Sequence, residues 1–211
     1  MKKGAPAGVR AERVVTTGTF SLDGETFDVD TNVWLVGDDD EVLVIDAAHD
    51  ARAIAAAVAG RRVTAIVCTH GHDDHIGAAP ALAHATGAPV LLHAADRALW
   101  DSVHPERAPD GALRDGQRLL VAGVAARVLH TPGHTWGSCV VHVPFLDAVF
   151  TGDTLFHGGP GATGRSYSDR ATIMASLRRR LLPLSGATVV HTGHGRDTTI
   201  AAERPHVPAV V

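Results

Sequence analysis

The segment Thr69-His70-Gly71-His72-Asp73-Asp74-His75 reads H-x-H-x-D-H and sets four metal-binding side chains within six residues. His70 and His72 are two apart, so an extended backbone presents both imidazoles on one face. Asp74 and His75 follow where the chain must turn into a helix, and they point to a second position. Three more residues of the same chemistry stand alone: His134 after Pro132-Gly133, Asp153 after Gly152, and His194 after Gly193. Each comes just past an apolar, strand-like run, where loops carry functional groups on a rigid scaffold. The fold must therefore bring the ends of several distant strands to one place. Together the seven residues His70, His72, Asp74, His75, His134, Asp153 and His194 suffice for two adjacent divalent metals. Paired metals make a nucleophile at neutral pH and hold both attacking and leaving atoms.

The rest of the chain is that of a globular protein. Its 211 residues suit one domain, and 45% hydrophobic content with 20% charged is ordinary. A net charge of −4 provides no basic field for nucleic acid, and Arg178-Arg179-Arg180 reads as a solvated helix face. The two cysteines, Cys68 and Cys139, lie inside apolar runs, which excludes a disulfide framework and points to a reducing compartment. The N-terminal residues show no apolar stretch of signal-peptide length, and nothing reaches the length of a membrane span. A cytoplasmic location follows as the expectation, with a small-molecule substrate and no nucleic-acid or membrane partner.

Residues 1–12 read as a flexible tail and 13–211 as a single domain. Strands are expected over 14–20, 32–36, 41–45, 63–68, 89–93, 118–121, 124–130, 139–143, 148–150 and 188–192. Helices are expected over 50–59, with Asp50 as cap, and over 77–86, 94–100 and 169–182. The stretches 101–116 and 158–168 read as irregular loops. This alternation describes an α/β domain with helices layered on sheets.

With its motifs in this order, the chain resembles the metallo-β-lactamase superfamily, and within it the glyoxalase II-type hydrolases, from Asn32 to Glu203. The resemblance implies a four-layer αβ/βα sandwich with the site at one edge of its two sheets. It implies that His70, His72 and His134 bind one metal, that Asp74, His75 and His194 bind another, and that Asp153 bridges them. Zinc is the first expectation, with iron or manganese as alternatives. Asp46 matches the carboxylate that ends the third strand in the family and is expected to orient a metal-bound imidazole. Thr69 and His130 are assigned the same supporting role. His49, His84, His104, His142 and His206 lack motif support, and Asp73 reads as solvated or helix-capping.

The implied activity is hydrolysis of a small-thiol thioester by a hydroxide held between two metals, with Asp74 and Asp153 as the catalytic carboxylates. Glutathione-specific members carry basic residues in a C-terminal helical region. Here 17 residues follow His194 and no lysine follows Lys3, so another carrier is expected. Arginine outnumbers lysine 17 to 2, a bias of high-GC genomes, and such bacteria use mycothiol; an acyl- or formyl-mycothiol thioester fits. Arg165, Tyr167 and His157 are the candidate substrate-lining residues. The alternatives are a mononuclear iron persulfide dioxygenase and a lactonase or other ester hydrolase on the same fold.

Overall fold

The computed structural model describes residues 8–207. Its first sheet is formed, in spatial order, by β1 (Arg10–Leu22), β2 (Glu25–Gly37), β3 (Glu41–Ile45), β4 (Arg62–Val67), β5 (Val90–His93) and β6 (Gly111–Leu113). The first three are antiparallel, and β3 through β6 run parallel. The crossovers carry α1 (Ala51–Val58), the short α2 (Asp73–Ile76), α3 (Ala79–Thr86) and α4 (Arg97–Val103). Asp50 caps α1 by accepting from the Arg52 and Ala53 amides, as expected of an Asp at that position.

The second sheet contains β7 (Arg118–Val121), β8 (Val124–His130), β9 (Cys139–Val143) and β10 (Ala148–Gly152). After a small hairpin of β11 (Leu155–Phe156) and β12 (Gly159–Pro160) comes α5 (Arg170–Ser176), extended by a wider π-turn over Leu177–Leu181. β13 (Val189–Thr192) and β14 (Thr198–Thr199) then complete the sheet, and α6 (Ile200–Glu203) follows. The order is β14-β13-β10-β9-β8-β7, antiparallel except for the β10–β13 pair.

Alternation along the strands explains the layers. Trp34, Val36, Leu43, Ile45 and Val67 face Val128, Val141 and Phe150 between the sheets. Their sequence neighbours Val33, Leu35, Val44 and Ile66 turn the other way, against Ile54 of α1, Leu82 of α3 and Trp100 of α4. On the far side, Val140, Val149 and Val190 pack against Ile173 and Leu177 of the long helix. These strands are buried on both faces, so they read as continuous apolar runs. The four-layer sandwich is the architecture the motifs imply. Among the described residues, no helix is long and apolar enough to cross a membrane.

The stretches 101–116 and 158–168, read as irregular loops, contain the end of α4 with β6 and the strand β12, each too short to show a periodic pattern. The other main differences from the sequence reading lie where burial stops. β1 and β2 are each 13 residues long, well beyond the expected 14–20 and 32–36. Residues 25–28 of β2 are solvent-exposed because the hairpin projects past the sheet, so the apolar pattern is missing there. The expected tail over 1–12 overlaps this hairpin: Arg10, Ala11 and Glu12 pair with Gly37, Val36 and Leu35. Residues 1–7 of that tail lie outside the described residues.

β3, β4, β8, β10 and β13 all end at one edge of the sandwich, which is where ligands gather in open α/β sheets. The two sheets are tied at that edge. The Asn32 amide side chain donates to the Thr192 and Gly195 carbonyls, both at 3.0 Å, and Trp34 Nε1 donates to the Thr192 carbonyl at 3.0 Å.

The helical layer on the first sheet centres on Trp100, which is 0% exposed and donates its indole N–H to the Arg107 carbonyl. Trp100→Ala is expected to destabilise the fold by about 3–5 kcal/mol, read as a lower urea midpoint with an unchanged slope.

Candidate metal centre

The loop after β4 delivers His70 and His72 on extended backbone, and α2 then turns Asp74 and His75 inward. All four are at most 5% exposed. The turn after β8 brings His134 to them, β10 brings Asp153, and β13 brings His194. His70 Nε2 and His134 Nε2 lie 3.0 and 3.1 Å from His72 Nδ1. Asp74 Oδ2 lies 3.5 Å from His75 Nε2 and 3.2 Å from His194 Nε2, and those two nitrogens are 3.1 Å apart. Asp153 sits between the two triads. Its Oδ1 is 3.2 Å from His75 Nε2, and its Oδ2 is 3.4 Å from His194 Nε2 and 3.6 Å from His134 Nε2.

Two glycines make this convergence possible. Gly152 has φ +47, and a Cβ on it would stand 2.2 Å from Thr69 Oγ1. A Cβ on Gly193 would stand 2.3 Å from Asp153 Oδ1. Only a residue without a side chain lets the ends of β10 and β13 close on the loop after β4.

Four of the five outer ring nitrogens are committed, and the fifth, His72 Nε2, is buried without a hydrogen-bond partner. His134 Nδ1 donates to the Ala162 carbonyl at 2.9 Å, and His194 Nδ1 donates to the Asp30 carbonyl at 2.7 Å. A carbonyl only accepts, so the proton is fixed on Nδ1 and the Nε2 lone pair faces the centre. His75 Nδ1 meets Asp46 Oδ2 at 3.0 Å. The Thr69 hydroxyl donates to Asp46 Oδ2 at 2.8 Å and so accepts from His70 Nδ1 at 3.0 Å. The Thr69 amide donates to Asp46 Oδ1 at 2.7 Å. Asp46 thereby orients one imidazole of each triad, and its positive φ of 58° turns its carboxylate toward them.

The electrostatics split the histidines into two kinds. Burial, reinforced by neighbouring imidazoles, pushes His70 well below the usual range and His72 down to about 3. Burial opposes charge on His75 as well, but Asp74, Asp153 and Asp46 outweigh it and raise its pKa strongly. Burial likewise opposes charge on His194, where Asp153 and Asp74 prevail and raise it to about 10. Burial would raise Asp153, yet His194 and His75 hold it far below an ordinary carboxylate. Two carboxylates draw positive charge onto these rings, and a cation is the natural replacement for those protons.

The donor set fits a pair of divalent cations. His70, His72 and His134 form one convergent group and Asp74, His75 and His194 another, each with its donor atoms within 4.8 Å of one another. Asp74 Oδ1 and Asp153 Oδ1 are buried without a hydrogen-bond partner. Orphaned buried acceptors are rare unless an ion satisfies them.

Above the cluster opens a cleft walled by Phe20 and Val29 of the β1–β2 hairpin and by Ala162, Thr163, Arg165 and Ser166. Arg165 lines this cleft, paired with Glu25 at 2.6 Å and stacked 5.1 Å over Phe27. Tyr167 and His157 do not line this cleft. Tyr167 is 40% exposed, and the Arg196 guanidinium meets the His157 ring at 2.9 Å instead. His130 also stands apart. It continues the inward-facing series Val124, Ala126 and Val128, stacks 4.1 Å from His93 at the end of β5, and donates to the Trp136 carbonyl. Asp73 is half-buried rather than solvated: both its oxygens accept the Ser21 amide at 3.1 Å, and Oδ1 also accepts the Asp74 amide in the first turn of α2 at 2.9 Å. Sequence reading missed the hairpin walls, although Asp23-Gly24 is a hairpin-turn signal. It also missed the carbonyls of Asp30 and Ala162, which leave no trace in side-chain identity.

Residues 26–194 match the sequence profile of the metallo-beta-lactamase superfamily. The hydroxyacylglutathione hydrolase GloC of Haemophilus influenzae is 35% identical over 161 residues, covering 68% of this chain and 74% of that protein. The crystal structure of the BLEG-1 B3 metallo-beta-lactamase superposes with a TM-score of 0.78 at 29% identity, covering 92% of this chain and 98% of that one. A di-iron-bound form of TTHA1623 superposes with a TM-score of 0.74 at 32% identity, covering 85% and 95%. Sequence motifs, sandwich architecture and the arrangement of the His/Asp cluster agree with these matches: the chain belongs to the metallo-β-lactamase superfamily.

Proposed function

We propose that this protein is a two-metal hydrolase acting on the thioester of a small thiol in the cytoplasm, with an acyl- or formyl-mycothiol as the candidate substrate. One observation carries the two-metal part: Asp153 reaches His75 and His194 on one side and His134 on the other. A single cation would use one triad and leave the other as a buried group of unpaired donors, which is costly. The thioester part rests on the hydroxyacylglutathione hydrolase among the relatives.

Two divalent cations in this cluster would supply a water that ionises near neutral pH and positive charge beside the carbonyl oxygen of the substrate. The chain's own residues supply the rest. Asp74 approaches His75 and His194 through Oδ2, which leaves its buried Oδ1 without a partner and able to take the proton of an attacking water. Asp46, Ala162 and Asp30 keep four imidazoles from rotating, two of them through carbonyls and two through one carboxylate. Phe20 packs its ring 5.0 Å from His72 and, with Val29, shields one side of the cleft from water. Arg165 and the Ser166 segment form the opposite wall, where the acyl or thiol portion would lie.

The purified chain should carry about two metal ions, as a two-metal site requires, and hydrolyse thioesters in preference to lactones and β-lactams. About one iron per chain with oxygen uptake would favour persulfide oxidation instead. His72→Ala should lose one metal and more than about 100-fold of turnover, since even residues behind the ligands are worth 10–100-fold. Full metal content and turnover in that variant would overturn the assignment.

Asp46→Asn keeps the shape but replaces one acceptor oxygen with an N–H donor. Metal affinity or turnover should fall about 10–100-fold, measured by chelator competition and steady-state kinetics. Retention of wild-type values would remove Asp46 from the orienting role.

A further inference from the structure

Asp96 is a carboxylate at 1% exposure that the sequence motifs do not touch. It stands at the N-cap of α4, where an Asp ordinarily accepts from the first amides of its own helix. It makes no such bond. All the hydrogen bonds it accepts come from two loops of the metal cluster. Oδ2 accepts the Gly71 amide at 2.9 Å and the Thr135 hydroxyl at 2.6 Å, and Oδ1 accepts the Gly137 amide at 2.6 Å.

The chain positions give these contacts their meaning. Gly71 lies between His70 and His72, and Thr135 and Gly137 follow His134 directly. One loop comes from the first sheet and the other from the second. Both are packed so closely that a side chain would not fit. A Cβ on Gly71 would stand 3.1 Å from Asp96 Cβ, and one on Gly137 would stand 2.6 Å from Asp96 Cγ. The acceptor capacity of a buried carboxylate is thus spent on joining the two loops that carry His70, His72 and His134, and on none that carries Asp74, His75 or His194.

We propose that Asp96 is a positioning residue for the first metal alone, a clamp that holds the His70–His72 loop and the His134 loop at the spacing that metal requires. The inference rests on the reading of His70, His72 and His134 as one metal's ligands. Removing the clamp lets the loops separate across the sandwich edge, while the second triad keeps its own support from Asp46 and the Asp30 carbonyl.

Zinc titration of the metal-free full-length chain against a competing chelator tests this, with wild type, Asp96→Asn, Asp96→Ala and His134→Ala in parallel. Asp96→Asn guards against a misfolded alanine variant because it preserves the shape. The binding phase that His134→Ala removes identifies the first site. In Asp96→Asn that phase should weaken about 10–100-fold, as for other residues that orient ligands, while the other phase is unchanged. Equal weakening of both phases in step with a lower melting temperature would mean a purely structural role and overturn the proposal. Wild-type affinity at both sites in Asp96→Asn would overturn it as well, with the ligand reading intact if His134→Ala still loses one zinc. Two zinc ions retained by His134→Ala would overturn the ligand reading and the clamp together.

Discussion

The carboxylate of Asp46 is the contact on which the cluster depends. An imidazole can bind a metal through either nitrogen, and which one is free is decided by what the other touches. Asp46 takes the outer proton of His75 directly and that of His70 through the Thr69 hydroxyl, and it anchors the Thr69 amide besides. One buried anion at the end of β3 thereby sets the direction of a lone pair in each triad. The left-handed backbone at Asp46 is offset by the bonds its carboxylate makes to Thr69 and His75. The parallel β3–β4 pair then brings Thr69 within its reach.

Burying so many ionisable groups in one place is costly unless each is partnered. The protein meets that requirement from the outside inward. The outer nitrogens of His70, His75, His134 and His194 are satisfied by carbonyls, a hydroxyl and a carboxylate, that of His72 is not, and the inner atoms are left facing one another. The opposite pKa directions follow from this layout. His70 and His72 are surrounded mainly by other imidazoles and resist protonation, while His75 and His194 lie beside Asp74 and Asp153 and attract it. Those four rings are thus pushed in opposite directions by their surroundings. An all-imidazole triad and a triad carrying a carboxylate are chemically distinct hosts, and Asp153 reaches both.

What was legible in the sequence was what is local. H-x-H-x-D-H falls at the end of a continuous apolar run, and glycine precedes each of His134, Asp153 and His194, so strand ends and site residues were readable together. The double-faced burial of β3, β4 and β10 produced the runs that reveal them. Residues whose roles depend on remote partners were not legible. His130 sits one turn before His134, yet strand alternation sends it to His93. Tyr167 and His157 belong to the right segment of chain but not to the cleft, because chain proximity does not specify side-chain direction. Asp96 read as part of a short helix, and nothing nearby hints that its oxygens serve loops 25 to 41 residues away. The polar outer half of the β1–β2 hairpin lacked apolar alternation because it has no second layer to cover it.

That hairpin connects metal geometry to substrate choice. Just before the turn it is held by Asp73, which lies between the residues of the metal motif and accepts the Ser21 amide. Its tip is held by the opposite wall, where Asp23 accepts the Ser166 amide at 2.9 Å and Glu25 pairs with Arg165. Phe20 and Val29, on the base side of those anchors, form the apolar side of the cleft. The exposed ion pair at the tip contributes little stability by itself, whereas the amide bonds to Asp73 and Asp23 fix backbone. A change of residue in the 158–168 segment therefore alters the cleft from both sides, through its own side chains and through the hairpin it supports. The metal cluster has its own anchor in Asp46 but still meets this segment at one point, where the Ala162 carbonyl accepts from His134 Nδ1. The cleft walls are thus one mechanical unit, the hairpin on one side and the segment that holds it on the other, resting on the His/Asp cluster beneath.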